Sequence, residues 1–141
     1  MIDIDIRIAD WHKDNAALRR IRETVFIGEQ SVPPELEWDA DDADAVHFLA
    51  LEGEYPIGTA RLLPDGQIGR MSVLKDWRGL KVGDRLLRAA IEEAERRGLR
   101  KQMLSAQVQA TPFYERHGFA VVSEEYLDVG IPHVDMVRHS D

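Results

Sequence analysis

VLKDWRGLKVGDRLL, residues Val73 to Leu87, is the stretch that decides how this chain folds. An apolar strand end runs into Arg78-Gly79, a short loop closes at Val82-Gly83, and an amphipathic helix follows at once. The first backbone N–H groups of a helix lack intrahelical partners, and the helix dipole adds partial positive charge there. A strand, a glycine turn and a helix start together make an anion site. Gly79 and Gly83 carry no Cβ, which lets a ligand phosphate approach the main chain. Arg78, Lys81, Arg85 and Arg88 crowd the same stretch of a chain whose net charge is −8. These features point to a phosphate-bearing cofactor. The bland alternative is a tight strand-to-helix turn with a solvated basic face.

With 141 residues, the expected organisation is one domain, 1–141, long enough to bury a core without staples. Hydrophobic residues make up 44% and charged residues 31%, an ordinary globular balance. There is no cysteine, which excludes disulfides, thiolate metal sites and cysteine nucleophiles, and which fits a reducing cytoplasm. The start, MIDIDIRIAD, is unlike a signal peptide, and no apolar run is long enough to cross a bilayer. Twenty-six acids against eighteen bases disfavour binding to nucleic acid or to an anionic membrane. The histidines show no H-x-x-x-H pair, so no metal is expected.

Ile2, Ile4, Ile6 and Ile8 alternate with Asp3, Asp5, Arg7 and Ala9, the period of a half-buried strand. A helix capped by Asp14 or Asn15 carries Leu18, Ile21, Val25 and Phe26 on one face, and Pro33-Pro34 ends the region. Glu35 to Asp44 holds six carboxylates and no base, and reads as a loop or short helix. It is either a solvated loop or a steering surface for a cationic amine. Strands follow at Val46–Glu52, Tyr55–Leu63 and Gln67–Leu74, with a turn at Pro64-Asp65-Gly66. In the third strand the alternation slips between Arg70 and Met71. Either a one-residue bulge or a strand buried on both faces accounts for that slip. Asp84–Arg97 is the clearest helix, with a stripe of Leu86, Leu87, Ala90, Ile91 and Ala94 and the pairs Glu92–Arg96 and Glu93–Arg97. Arg100–Ala106 is a strand, Thr111–His117 a short helix, Phe119–Tyr126 a strand, Asp128–Pro132 a turn, and Val134–Val137 a last short strand. Hairpins first and β-helix-β alternation after describe an α/β domain on a mixed sheet.

The loop lacks the G-K-[ST] of a Walker motif and the three glycines of a dinucleotide fingerprint. A second motif lies at Ala106–Phe119, AQVQATPFYERHGF. Taken alone, Tyr114 reads as an amphipathic core residue with its hydroxyl at the rim. Taken with the loop, the chain resembles the GNAT superfamily, the Gcn5-related N-acetyltransferases. R78-G79-L80-K81-V82-G83 follows that family's acetyl-CoA loop [QR]-x-x-G-x-[GA], with Lys81 where a glycine is usual. Gln107, Ala110, Phe113, Tyr114, Gly118 and Phe119 follow its N-x-x-A-x-x-[LF]-Y-x-x-x-G-F pattern, with Gln107 in place of asparagine. VFIGEQSVP, GRMSV and GIPHVDM are similar to the ElaA-like and YjcF-like branch, so the likeness covers nearly the whole chain.

The resemblance implies a mixed, mostly antiparallel twisted sheet flanked by helices. Its central parallel strands, Gln67–Leu74 and Arg100–Ala106, would splay in a V that takes the pantetheine of acetyl-CoA. It implies an enzyme of the acyltransferase class that acetylates a primary amine of a small molecule or peptide by direct attack on the thioester. The rival is a non-catalytic CoA-binding module of the same fold. Backbone N–H groups of Gly79, Leu80, Lys81, Val82, Gly83 and Asp84 would hold the pyrophosphate, with the Arg78 and Lys81 side chains close by. The strand residues Met71, Ser72 and Val73 would line the thioester, the N–H of Met71 or Val73 facing its carbonyl. Phe113 would flank the cofactor and Tyr114 would face the sulfur. A phenol at ~10 lies ~1.5 units above a thiol, about 2 kcal/mol, which leaves Tyr114 able to act as general acid. Glu29, Glu125, His133 or a water are open choices for the base, with Glu29 and His133 on the acceptor side. A monomer or a homodimer is compatible with the sequence.

Overall fold

The computed structural model describes residues 4–30, 42 and 44–140. Most of the acidic segment and the Pro33-Pro34 break lie outside the described residues. The alternating isoleucines form β1 (Ile4–Ala9), which pairs antiparallel with β2 (Val46–Glu52). β2 pairs with β3 (Tyr55–Leu62), and β3 with β4 (Ile68–Val73), giving a sheet in the order β1-β2-β3-β4. The central helix α2 (Val82–Arg96) lays its apolar stripe across this sheet. Leu86, Leu87, Ala90 and Ala94 are fully buried there, each large side chain worth about 1.5–3 kcal/mol of transfer free energy. Glu93 pairs with Arg97 as expected, at 2.6 Å, but Arg96 turns to Glu93 as well.

On the other face, α1 (Asn15–Arg22) buries Leu18 and Ile21 against Ala9 and Leu49. Asp14 precedes α1 without capping it. Its carboxylate accepts instead from Arg7 and from the Asp10 N–H. α1 runs straight into a π-helical segment, Glu23–Glu29, closed by a Gln30 N–H to Val25 carbonyl bond of 3.1 Å. Such segments are rare and recur beside functional sites.

The second sheet differs from expectation. β5 (Lys101–Gln107) leads through a 3₁₀ turn, Val108–Ala110, to the short α3 (Thr111–Glu115). The strand expected at Phe119–Tyr126 is broken into β6 (Ala120–Val121) and β7 (Tyr126–Asp128). The Ser123 hydroxyl accepts the Asp135 N–H at 2.8 Å, taking a place a backbone carbonyl would hold in an unbroken ladder. The final strand is not short. β8 (Ile131–His139) runs nine residues down the middle of this sheet, with β5 on one edge and β6 and β7 on the other. Its buried residues are Val134 and Met136, while the alternate residues His133 and Asp135 belong to the opposite face. Both edges of β8 are thus used within the chain.

The sheets touch at one end and part at the other. Gln67 and Met103 form a parallel bridge, and the Met103 N–H reaches the Gly66 carbonyl at 3.2 Å. Gly66, at φ +100°, is required here, because a Cβ would stand 2.4 Å from the Lys101 carbonyl oxygen. Beyond that bridge no described residue of β4 pairs with β5. The expected V is therefore open between these two strands.

Candidate active site

After Val73 the chain makes a 3₁₀ turn, Lys75–Trp77, and then the loop 78–81. Gly79 lies at φ +81° and Lys81 at φ +64°, ψ +20°. Lys81 thus holds the left-handed backbone that a glycine takes freely, at a cost of about 1 kcal/mol. Its Cβ leaves the turn intact, and α2 starts at the next residue. The Arg85 N–H bonds the Lys81 carbonyl at 3.2 Å, so the N–H groups of Val82, Gly83 and Asp84 precede the helical ladder. The Val82 side chain is buried in the core, while Leu80 and Lys81 are exposed. Phe113 lies over this helix start, its ring 3.5 Å from where a Cβ on Gly83 would stand. The Asp84 carboxylate accepts from His117 Nε2 at 2.8 Å.

The basic residues of this stretch do not converge. Arg78 donates through Nε to the Val73 carbonyl (2.9 Å) and through its terminal nitrogen to Glu29 (2.5 Å). Arg85 reaches the Ile4 carbonyl. Backbone donors, not a cluster of cations, are what the start of α2 presents.

The slip in β4 is a bulge. Thr59 faces Ser72 and Arg61 faces Gly69, so β4 carries one residue more than β3 in this interval. Arg70 takes φ +48° to accommodate it. The Thr59 hydroxyl donates to the Arg70 carbonyl at 3.2 Å and lies 2.7 Å from Ser72 Oγ, which is left as the donor of that second bond. Two buried hydroxyls thus pin the bulge from behind, and Arg70 and Met71 line the gap in front.

That gap is a cavity of about 430 Å³ between β4 and β5. Tyr114 and Ala110 enter it from the α3 side, and Ser105, Gln107, Asp128 and His133 line it from the second sheet. The Tyr114 ring packs edge-on against Phe113 (5.0 Å) and Phe119 (6.2 Å). Its hydroxyl has no hydrogen-bond partner among the described residues, and burial pushes the phenol up to about 12. It is therefore a neutral donor facing the cavity. His133 Nδ1 is 2.7 Å from the Ile131 carbonyl. Glu29 is not a lining residue; it is the partner of Arg78. Glu125 is exposed and also outside the lining.

Among the cavity residues, Gln107 entered the sequence reading only through the family pattern, and Arg61 and Ser105 carried no functional signal. Gln107 Nε2 donates to Gln30 Oε1 at 3.0 Å, tying β5 to the end of the π-helical segment. Arg61, on β3, donates to Asp42 at 3.1 Å, and Asp42 also receives Arg22 at 2.9 Å, all three buried. Burial opposes the Asp42 charge, yet its two guanidinium partners prevail and hold the carboxyl below its ordinary range. Polar residues alternating through β3 and β5 were the available clue. Which face of each strand met a cavity depended on contacts distant in sequence.

The family profile described as an acetyltransferase (GNAT) domain matches residues 9–140. The chain is 41% identical over 122 residues to an uncharacterized N-acetyltransferase, YjcF, of Bacillus subtilis, covering 84% of this chain and 87% of that protein. Among solved structures it resembles an acyl-CoA N-acyltransferase from Pseudomonas aeruginosa, with TM-score 0.86, 32% identity and coverage of 96% of this chain and 99% of that one. Escherichia coli ElaA is similarly close, with TM-score 0.87, 30% identity and coverage of 97% and 100%. A splayed sheet, a helix start rich in free amides and this likeness along almost the entire sequence agree: the chain belongs to the GNAT superfamily, in its ElaA-like and YjcF-like branch, and is an N-acetyltransferase.

Proposed function

We propose that this protein, as a single domain over residues 1–141, moves an acetyl group from acetyl-CoA to a primary amine of a small molecule or peptide. The observation that carries this reading is the cavity through the V, which joins Tyr114 on one side of the split sheet to His133 on the other. The residues at the start of α2 fit a diphosphate. Val82, Gly83 and Asp84 offer N–H groups, Gly83 offers no Cβ, and the Asp84 carboxylate is engaged by His117. Arg78, Gly79, Leu80 and Lys81 form the turn that aims those groups. Phe113 covers the start of α2. Met71, Ser72 and Val73 supply the bulged strand, where a main-chain N–H freed by the bulge would polarise the thioester carbonyl. The acceptor nitrogen attacks that carbonyl carbon, the C–N bond forms and the C–S bond breaks.

Tyr114 supplies a proton to the departing sulfur. With the phenol near 12, the gap to a thiol at ~8.5 widens to roughly 3.5 units, about 5 kcal/mol. A thiolate forming against the same buried ring is raised by the same desolvation, so transfer accompanies C–S cleavage instead of following it. No metal takes part. A cytoplasmic setting, as monomer or homodimer, goes with this reading, since a chain without cysteine is indifferent to a reducing compartment.

The test is thiol release from acetyl-CoA against a panel of amino acids, polyamines, amino sugars and arylalkylamines. Tyr114→Phe lowers turnover about 10²-fold and leaves acetyl-CoA affinity within about threefold. Unchanged turnover removes Tyr114 from the chemistry. Tight acetyl-CoA binding with no release to any amine would favour a binding module.

A further inference from the structure

His133 is a titratable group on the cavity wall whose surroundings fix which of its atoms is basic. Its Nδ1 lies 2.7 Å from the Ile131 carbonyl oxygen. A carbonyl oxygen only accepts, so Nδ1 carries the hydrogen, and in the neutral ring Nε2 keeps the lone pair. The ring plane is also set. The strand register places Tyr126 of β7 and Gln107 of β5 opposite His133. The Tyr126 ring stacks on the imidazole at 6.2 Å with 25° between planes. Tyr126 is itself clamped, donating to Asp135 Oδ1 at 2.6 Å with Ser105 Oγ at 2.5 Å.

The placement matters as much as the tautomer. Val134 and Met136 turn toward the core that Tyr114 packs against, so His133, between them and Pro132 in the strand, belongs to the opposite face. Tyr114 and His133 nevertheless line one cavity, because β4 and β5 have parted. Two proton-handling groups thus reach a single space from opposite faces of the sheet.

We propose that His133 is the base for the acceptor amine, an inference that rests on the transferase reading above. Nε2 takes one proton from the acceptor ammonium, and the freed nitrogen lone pair attacks the thioester carbon. The C–N bond forms and the C–S bond breaks. The nitrogen sheds a second proton, which replaces the one Tyr114 gives to sulfur, and His133 returns its own proton to water. Nitrogen starts with three hydrogens and ends with one; one of the two lost is on the thiol and the other is in solvent. Every charged neighbour is compatible with this role. Asp128 on β7 lines the same cavity and offers the ammonium a counter-charge. Asp135, on the same strand, is committed to Tyr126. From β5 only the neutral Ser105 and Gln107 face the ring's side, and the cations Arg61 and Arg70 belong to the far wall, on β3 and β4.

The test has two arms on the full-length protein. In the first, ¹⁵N imidazole spectra of the free enzyme, taken with the ring neutral, show the Nδ1–H tautomer for His133. The Nε2–H tautomer would overturn the assignment without any acceptor. In the second, acetyl-CoA is paired with whichever panel amine releases most thiol. His133→Ala lowers kcat/KM about 10²-fold, erases the acid limb of its pH profile, and regains rate in proportion to added imidazole. His133→Gln keeps the bulk of the side chain, is as slow, and is not rescued. Variants within threefold of the wild type, with the acid limb intact, would overturn His133 and leave the transferase reading standing. Wild-type protein that releases thiol to no amine on the panel would sink the transferase reading itself.

Discussion

The start of α2 presents main chain, whereas the cavity between β4 and β5 is walled by side chains. The α2 side consists of two left-handed residues, a 3₁₀ turn and the unladdered amides of Val82, Gly83 and Asp84. The cavity depends on Gln107 reaching Gln30, on Tyr126 held by Asp135 and Ser105 beside β8, and, at the β3 wall, on Arg61 and Arg22 sharing Asp42. A site made of backbone should tolerate changes of side chain, and the turn here is intact with a Cβ at Lys81. A site made of side chains depends on its buried charges. Substitutions should therefore be cheap on the α2 side and expensive on the other.

The buried charge network offers the severest way to break that contrast. Asp42→Asn removes the carboxylate that both Arg22 and Arg61 address, and should cost about 3–5 kcal/mol in urea denaturation. A loss below about 1 kcal/mol would mean that charge does not hold this side together.

Acid probes the same network more gently. His47, stacked on Trp11 at 4.5 Å with Nε2 2.7 Å from the Asp42 carbonyl, is held below its usual value, chiefly by burial. Unfolding lets it take a proton sooner, so its contribution is complete above about pH 6.5 and declines as pH falls below that. The Asp42 carboxyl is also depressed, so its contribution is complete above about pH 4 and declines below. Urea midpoints recorded from pH 8 to pH 3 should fall in two steps, and His47→Gln should remove the upper one. A flat midpoint between pH 7 and pH 5 would contradict the His47 argument.

The smallest effect belongs to the α2 side. Lys81→Gly relieves left-handed strain but adds freedom to the unfolded chain, each worth about 1 kcal/mol. Stability should move by less than about 1 kcal/mol and acetyl-CoA affinity by less than about threefold. A tenfold fall in affinity would show that the lysine side chain, not the turn, grips the ligand.

The same contrast explains what the sequence made legible. The loop and α2 depend on neighbours within a few residues, so glycine spacing and the Leu86-to-Ala94 stripe were enough to find them, whereas the parity slip at Arg70 left a bulge and a doubly buried strand both open until the pairing with β3 decided between them. β8 was read too short because Pro132 and the polar His133 at its start, and Arg138 and His139 at its end, look like the flanks of a strand. Glu29 was a reasonable acceptor-side residue by position, yet its ion pair with Arg78 spans 49 residues of sequence. The Arg22–Asp42–Arg61 cluster joins α1 to β3, and nothing local announces such a meeting.

The central claim is that free amides at the start of α2 hold the diphosphate of acetyl-CoA. Isothermal titration calorimetry of the folded protein with acetyl-CoA, CoA and ATP tests it directly. The account predicts one acetyl-CoA per chain, displaced by CoA, with ATP at least tenfold weaker (about 1.4 kcal/mol). No heat from either CoA or acetyl-CoA, or tighter binding of ATP, would contradict it.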